Sequence, residues 1–187
     1  LEDAGADVKC LDLSVECIDE YAVKSAGLIA IYLPMHTATR LAIEIIPKIN
    51  NLNSSAHLAV YGLYASINKE FLSSLGAKTI ISGEFEGSLL KLYQQLLASK
   101  YVIDSCLVSL KKQNFRKPKR SDLPNLSHYA KLIIGKTQSI TVGYTEGTRG
   151  CKHICRHCPI VPVYNGRFFV VQPDVVMDDI RQQVEAG

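Results

Sequence analysis

The sequence has no apolar run near the roughly 20 residues that a membrane-spanning helix needs. It does not begin with the basic, apolar, small-residue pattern of a signal peptide, which makes the cytoplasm the expected compartment. Charge of one sign is scarce in excess: 21 Lys and Arg face 18 Asp and Glu, and a net of +3 does not by itself argue for a nucleic-acid partner. Internal repeats and low-complexity tracts are absent. So is a dispersed cysteine framework. Three of the six cysteines fall within the stretch 151–158, which argues against a disulfide-stapled secreted fold and for metal or redox chemistry. What is present is the ordinary composition of a globular protein, 47% hydrophobic and 21% charged. A chain of 187 residues can build one substantial core, or one domain and part of another.

Both ends read as helix exits. Leu1-Glu2-Asp3-Ala4-Gly5 resembles a last helical turn closed by glycine, and Glu185-Ala186-Gly187 has the same form. The chain is therefore expected to be a fragment, with a first strand and helix missing upstream.

Short apolar runs at 8–13, 27–34, 57–64 and 78–84 read as strands, β-branched and continuously hydrophobic as in a parallel sheet covered on both faces. Helical patterns fill the gaps, at about 16–26, 39–51, 68–75 and 86–99. In 39–51, Leu41, Ile45, Ile46 and Ile49 share a face, and Pro47 threatens a kink. This βαβ rhythm predicts a doubly wound α/β domain over 1–105. Residues 106–135 read as a linker. The segment 111–125 carries six positive charges between Lys111 and Arg120 and only one interleaved aromatic, Phe115, too few for a base-stacking platform. Residues 126–133 read as a short helix or turn. From 136 a second domain begins, with a strand running into a glycine-rich loop over 139–151 and a helix over 173–187. That helix has Pro in its first turn, early acids, and Val176, Ile180 and Val184 on one face.

Between them lies the stretch TRGCKHICRHCPIVPVYNGR, 148–167, with Cys151, Cys155 and Cys158. A structural zinc site uses four ligands, usually as two pairs, whereas here a Cys₃His set with His153 or His157 would crowd into one loop. A dithiol redox pair would use Cys155 and Cys158 and leave Cys151 unexplained. Three close thiolates can hold three corners of a [4Fe–4S] cluster and leave its fourth iron open. The other three, Cys10, Cys17 and Cys106, read mostly as buried structural thiols.

The spacing C-x3-C-x2-C, with its lead-in GYTEGTRGC and exit CPIVPVYNGR, resembles the signature of the radical S-adenosylmethionine (SAM) enzymes. The resemblance implies that Cys151, Cys155 and Cys158 hold the cluster, that SAM binds the open iron, and that His157 stands at the aromatic position beside it. It also implies that 136–187 is the first βα unit of a (β/α) barrel, with the loop on its catalytic rim.

An α/β domain ahead of such a barrel resembles the cobalamin-dependent branch of that family, whose domain is flavodoxin-like. The loops that follow successive strands then supply His36, Thr37, Tyr61, Gly62, Leu63, Gly83 and Glu84 as cobalamin-binding candidates, because ligands of open α/β sheets sit beyond the strands' carboxyl ends. Gly62 and Gly83 would allow close backbone approach. Plainer readings stand beside these: His36 as a helix-start residue, Tyr61 as core, Glu84 as a helix-start acid. The D-x-H-x-x-G motif that ligates cobalt is absent. The implied chemistry is reductive SAM cleavage driving methyl transfer or rearrangement on a small-molecule or peptide substrate. An external donor such as flavodoxin or ferredoxin would supply electrons. The alternatives are a methylthiotransferase-like enzyme and a non-catalytic zinc-binding module.

Overall fold

A computed structural model describes residues 1–99 and 105–186. The described chain divides into two compact units, each discontinuous in sequence. The first comprises Leu1–Val8, Glu20–Lys112 and Gly150–Phe168, and the second Lys9–Asp19, Gln113–Arg149 and Phe169–Gly187. The cysteine loop thus groups with the α/β core.

The first unit is α/β. Its helices are α1 (Glu20–Ser25), α2 (His36–Leu52), α3 (Leu63–Ile67), α4 (Lys69–Ser74) and α5 (Glu86–Leu97). They alternate with β1 (Leu28–Tyr32), β2 (His57–Tyr61), β3 (Thr79–Gly83) and β4 (Ser105–Ser109). The strands form one parallel sheet in the order β1-β2-β3-β4, with Tyr32 opposite Tyr61 and Gly83 opposite Ser109. Successive residues of a strand point to opposite faces, and β3 shows what lies on each. Ile81 packs with Ala59 of β2 and with Leu89 and Leu92 of α5. The next residue, Ser82, accepts a hydrogen bond from Ser66 N of α3 at 3.2 Å and donates one to Gly62 O at 2.6 Å. Helices therefore cover both faces, which is why β2 and β3 are buried on both. Burying Leu58, Val60, Ile80 and Ile81 contributes about 1.5–3 kcal/mol for each side chain.

Several expectations are corrected. Residues 8–13 form no strand: the Asp12 carboxylate accepts from Ser14 N at 3.0 Å and Ser14 Oγ at 2.7 Å, and Asp12 N donates to Glu16 at 2.9 Å. Local side-chain bonding of this kind turns the chain at 13–15, and residues 8–12 join no ladder. The run at 57–64 stops at Tyr61, because Gly62, at φ +112°, opens α3. Strand β4 was missed by sequence reading. Helix α2 runs through Pro47, and it buries Thr39, Ala42, Ile46 and Ile49 while leaving Leu41 exposed.

The second unit holds the antiparallel hairpin β5 (Lys131–Ile134) and β6 (Gln138–Thr141), which follows a 3₁₀ turn at Leu126–His128. It also holds α7 and its partners. Helix α7 spans Pro173–Glu185, and the glycine stop expected at Gly187 lies outside the described residues. The face expected to be buried is the open one: Ile180 is exposed and Val184 is 75% exposed, while Asp179 and Gln183 are buried. Those two are held by specific partners. Arg120 forks onto Asp179 at 2.7 and 2.8 Å and donates to Tyr144 O at 2.7 Å. Gln183 accepts from Tyr144 N at 2.9 Å and donates to its carbonyl at 3.0 Å. Burial pushes the Asp179 carboxyl up, but hydrogen bonds from Arg120, Thr145 and Gln182 and the guanidinium charge outweigh it, leaving it at about 2. Two short strands, β7 (Thr148–Gly150) and β8 (Phe168–Val170), pair with each other, and the segment between them carries α6 (Val161–Tyr164).

Candidate functional site: the cysteine loop and the carboxyl edge of the sheet

The loop begins where β7 ends. Gly150 has φ +77°, and a Cβ there would lie 2.3 Å from Arg167 O and 2.7 Å from Tyr164 Cδ1. Only glycine fits that position. The next amide, Cys151 N, donates to the same Arg167 carbonyl at 3.1 Å. From Cys151 to Cys158 the chain has neither helix nor strand. All three cysteines are free thiols; Cys151 and Cys158 are half-buried and Cys155 is exposed. His153 N lies 3.5 Å from Cys151 Sγ, and both His153 and His157 are exposed. After the loop, α6 packs against α3 and β3 and buries Val163 and Tyr164.

That contact falls on the carboxyl edge of the parallel sheet. Glu84, the residue after β3, is 2% exposed and accepts a hydrogen bond from Tyr164 Oη at 3.1 Å. Its backbone N donates to Ser109 O at 2.7 Å, so the loop after β3 is fixed against β4 as well. The same edge carries the other six candidates. His36 and Thr37 are exposed in the first turn of α2, with the His36 ring 6.4 Å from that of Tyr64. Tyr61 is half-buried in an aromatic trio with Tyr32 at 5.1 Å and Phe85 at 5.0 Å. Leu63 is half-buried at the start of α3. Gly62 and Gly83 have positive φ, but the room beside each is already filled: an added Cβ would meet Leu33 O at 2.7 Å and Ser109 O at 2.2 Å. Their lack of a side chain serves the chain's own crossings at this edge.

The seven candidates thus lie along one edge of the sheet, and α6, which follows the cysteine loop, packs against that edge through Tyr164 and Glu84. The three cysteine side chains are less organised. Among the described residues, no group of three or more His, Cys, Asp or Glu side chains is arranged to hold a metal ion. The donor set still fits a thiophilic group, since three free thiols sit on a loop with no helix or strand to hold them apart. The remaining thiols correct the sequence reading: Cys10 and Cys17 are exposed, and Cys106 is half-buried in β4.

Sequence reasoning missed Tyr164, Tyr32 and Phe85. The two aromatics near the strands could have been found from the phase of β1 and the GEFEG loop. Nothing in the spacing links residue 164 to residue 84. No family model, curated protein or solved structure matches the chain. Among the described residues, no helix is long and apolar enough to cross a membrane.

Proposed function

We propose that this chain belongs to a cytoplasmic radical SAM enzyme with a cobalamin-binding α/β domain. In that reading the parallel sheet is the core of a doubly wound, flavodoxin-like domain, and β7, the cysteine loop and α7 open a (β/α) barrel. The observation that carries it is the C-x3-C-x2-C loop: three free thiols in irregular backbone, seated through α6 on the carboxyl edge of a parallel sheet. Open α/β sheets bind their ligands at that edge.

Cys151, Cys155 and Cys158 would hold a [4Fe–4S] cluster as thiolates and leave one iron without a protein ligand. When bound, such a cluster supplies the single electron that cleaves SAM. The chain's own part is geometric. The Arg167 carbonyl and Gly150 fix the first cysteine, and α6 fixes the exit of the loop. His157, exposed beside Cys158, would contact SAM. His36, Thr37, Tyr61 and Leu63 offer a mixed polar and aromatic surface for cobalamin, whose role is to carry a methyl or alkyl group. Gly62, Gly83 and Glu84 shape the backbone beneath it. Substrate and an external electron donor complete the set of partners.

Anaerobic reconstitution with iron and sulfide tests the reading. About four iron and four sulfide per chain with broad visible absorbance, lost in Cys155→Ala, supports it. About twice that loading points to the methylthiotransferase-like alternative, and tight stoichiometric zinc with no such absorbance points to a zinc module. Titration with hydroxocobalamin tests the second half, and His36→Ala together with Tyr61→Ala should weaken binding.

A further inference from the structure

Glu84 is a carboxylate almost wholly removed from solvent, and the residue that reaches it lies 80 positions away in sequence. A buried carboxylate is costly unless hydrogen-bonded, so its partner matters more than an exposed one would. One partner, the Tyr164 phenol at 3.1 Å, ends a side chain whose ring is packed on Gly150, the residue before the first cysteine. Tyr164 also ends α6, where its carbonyl accepts from Arg167 N at 2.9 Å. Arg167 in turn supplies the carbonyl that holds Cys151 N at 3.1 Å. A continuous path of contacts therefore runs from the carboxyl end of β3, through Glu84 and Tyr164, to Gly150 and the amide of Cys151. Cys158 meets α6 only at its first residue, where the Cys158 carbonyl accepts from Val161 N at 3.3 Å, and Cys155 is hydrogen-bonded only to Cys158. Cys155 is exposed, and Cys158 N donates only locally, to Cys155 O at 3.3 Å.

We infer that Glu84 and Tyr164 are positioning residues for Cys151: the sheet edge sets the first thiol of the loop through a buried carboxylate–phenol bond. Glu84 acts through Tyr164 and not as a ligand of a cofactor. Where a cluster is concerned, this rests on the function proposed above; for the metal-free thiol it does not.

The test uses the full chain, anaerobic and without added metal. Iodoacetamide labelling followed by peptide mass spectrometry gives an alkylation rate for each cysteine. In the unsubstituted chain Cys151 should react more slowly than Cys155. Tyr164→Phe keeps the ring on Gly150 and removes only the hydroxyl; it should raise the Cys151 rate about five- to tenfold. The rate at Cys106, half-buried in β4, should not change, which separates positioning from general unfolding. Glu84→Leu should act like Tyr164→Phe, and Glu84→Gln, which keeps an acceptor, should restore most of the protection. A second readout is the electron paramagnetic resonance spectrum of the iron–sulfide-reconstituted chain, which should change in Tyr164→Phe at equal iron content. If the unsubstituted chain loads no iron, the cluster reading fails while the alkylation contrast still decides the positioning claim. An unchanged Cys151 rate in both Tyr164→Phe and Glu84→Leu overturns that claim, as does an equal rise at every cysteine.

Discussion

Strands β2 and β3 bury every residue except Tyr61, whereas β5 and β6 bury none. The residue types overlap: Ile80 and Ile81 stand in the first region, Ile133 and Ile134 in the second. The difference lies in cover. Helices α3 and α5 lie on opposite faces of the parallel sheet, while the β5–β6 ribbon has both faces open to solvent. Apolar character alone does not make a core; an apolar run becomes one only when other elements close over it. The contrast also bears on function. Buried central strands hold the loops that follow them to fixed geometry, and a site that must place several groups together gains from such an edge.

The comparison is sharpened most by truncating matched isoleucines. Ile81→Ala, at 0% exposure, should cost about 4 kcal/mol, within the 2–5 kcal/mol seen for buried large-to-small changes. Ile133→Ala, at 63% exposure, should stay within about 0.5 kcal/mol. Urea unfolding followed by circular dichroism measures both, and equal effects would erase the distinction. Two glycines of similar φ make a second pair. Gly83→Ala should cost about 3 kcal/mol, because its φ is +74° and the new Cβ meets Ser109 O at 2.2 Å. Gly135→Ala, at φ +65° with nothing within 4 Å, should cost about 1 kcal/mol from backbone strain alone.

The second unit breaks the contrast at one place, the Arg120–Asp179 pair. Arg120→Met leaves a buried carboxylate without its main partner, at a cost of about 2–3 kcal/mol after allowance for the partial exposure of Arg120. The pair also sets a pH dependence. Asp179 titrates at about 2 in the folded chain against an ordinary 3.8, so its stabilisation is complete above about pH 4 and is lost as pH falls through 2. The loss should amount to about 2 kcal/mol. Urea midpoints of the parent chain and of Asp179→Asn should converge over that interval, and parallel curves would contradict the assignment.

The central strands β2 and β3 were legible because burial on both faces leaves continuous apolar runs; β1 carries such a run although it is only partly covered, and β4 does not stand out. Residues 8–13 carry the same signal and fail, since the Asp12 carboxylate captures nearby donors and builds a turn. Helix α7 was legible in extent but inverted in burial. Its periodicity marked Ile180 and Val184, while the structure buries Asp179 and Gln183 through bonds to Arg120 and Tyr144, residues far apart in sequence. The candidate site divides in the same way. The cysteines are visible because their chemistry depends on local spacing. The Glu84–Tyr164 bond is not, because it exists only once α6 has folded onto the edge of the sheet.

The central claim is that the 151–158 loop holds an iron–sulfur centre through three cysteines and leaves one iron open. Mössbauer spectroscopy of the anaerobically reconstituted full chain, with and without SAM, tests it most directly. The account predicts one [4Fe–4S] centre per chain whose unique iron site shifts on addition of SAM, with the centre lost in each of Cys151→Ala, Cys155→Ala and Cys158→Ala. A centre that survives any one of these substitutions intact, or four equivalent irons that ignore SAM, would contradict it.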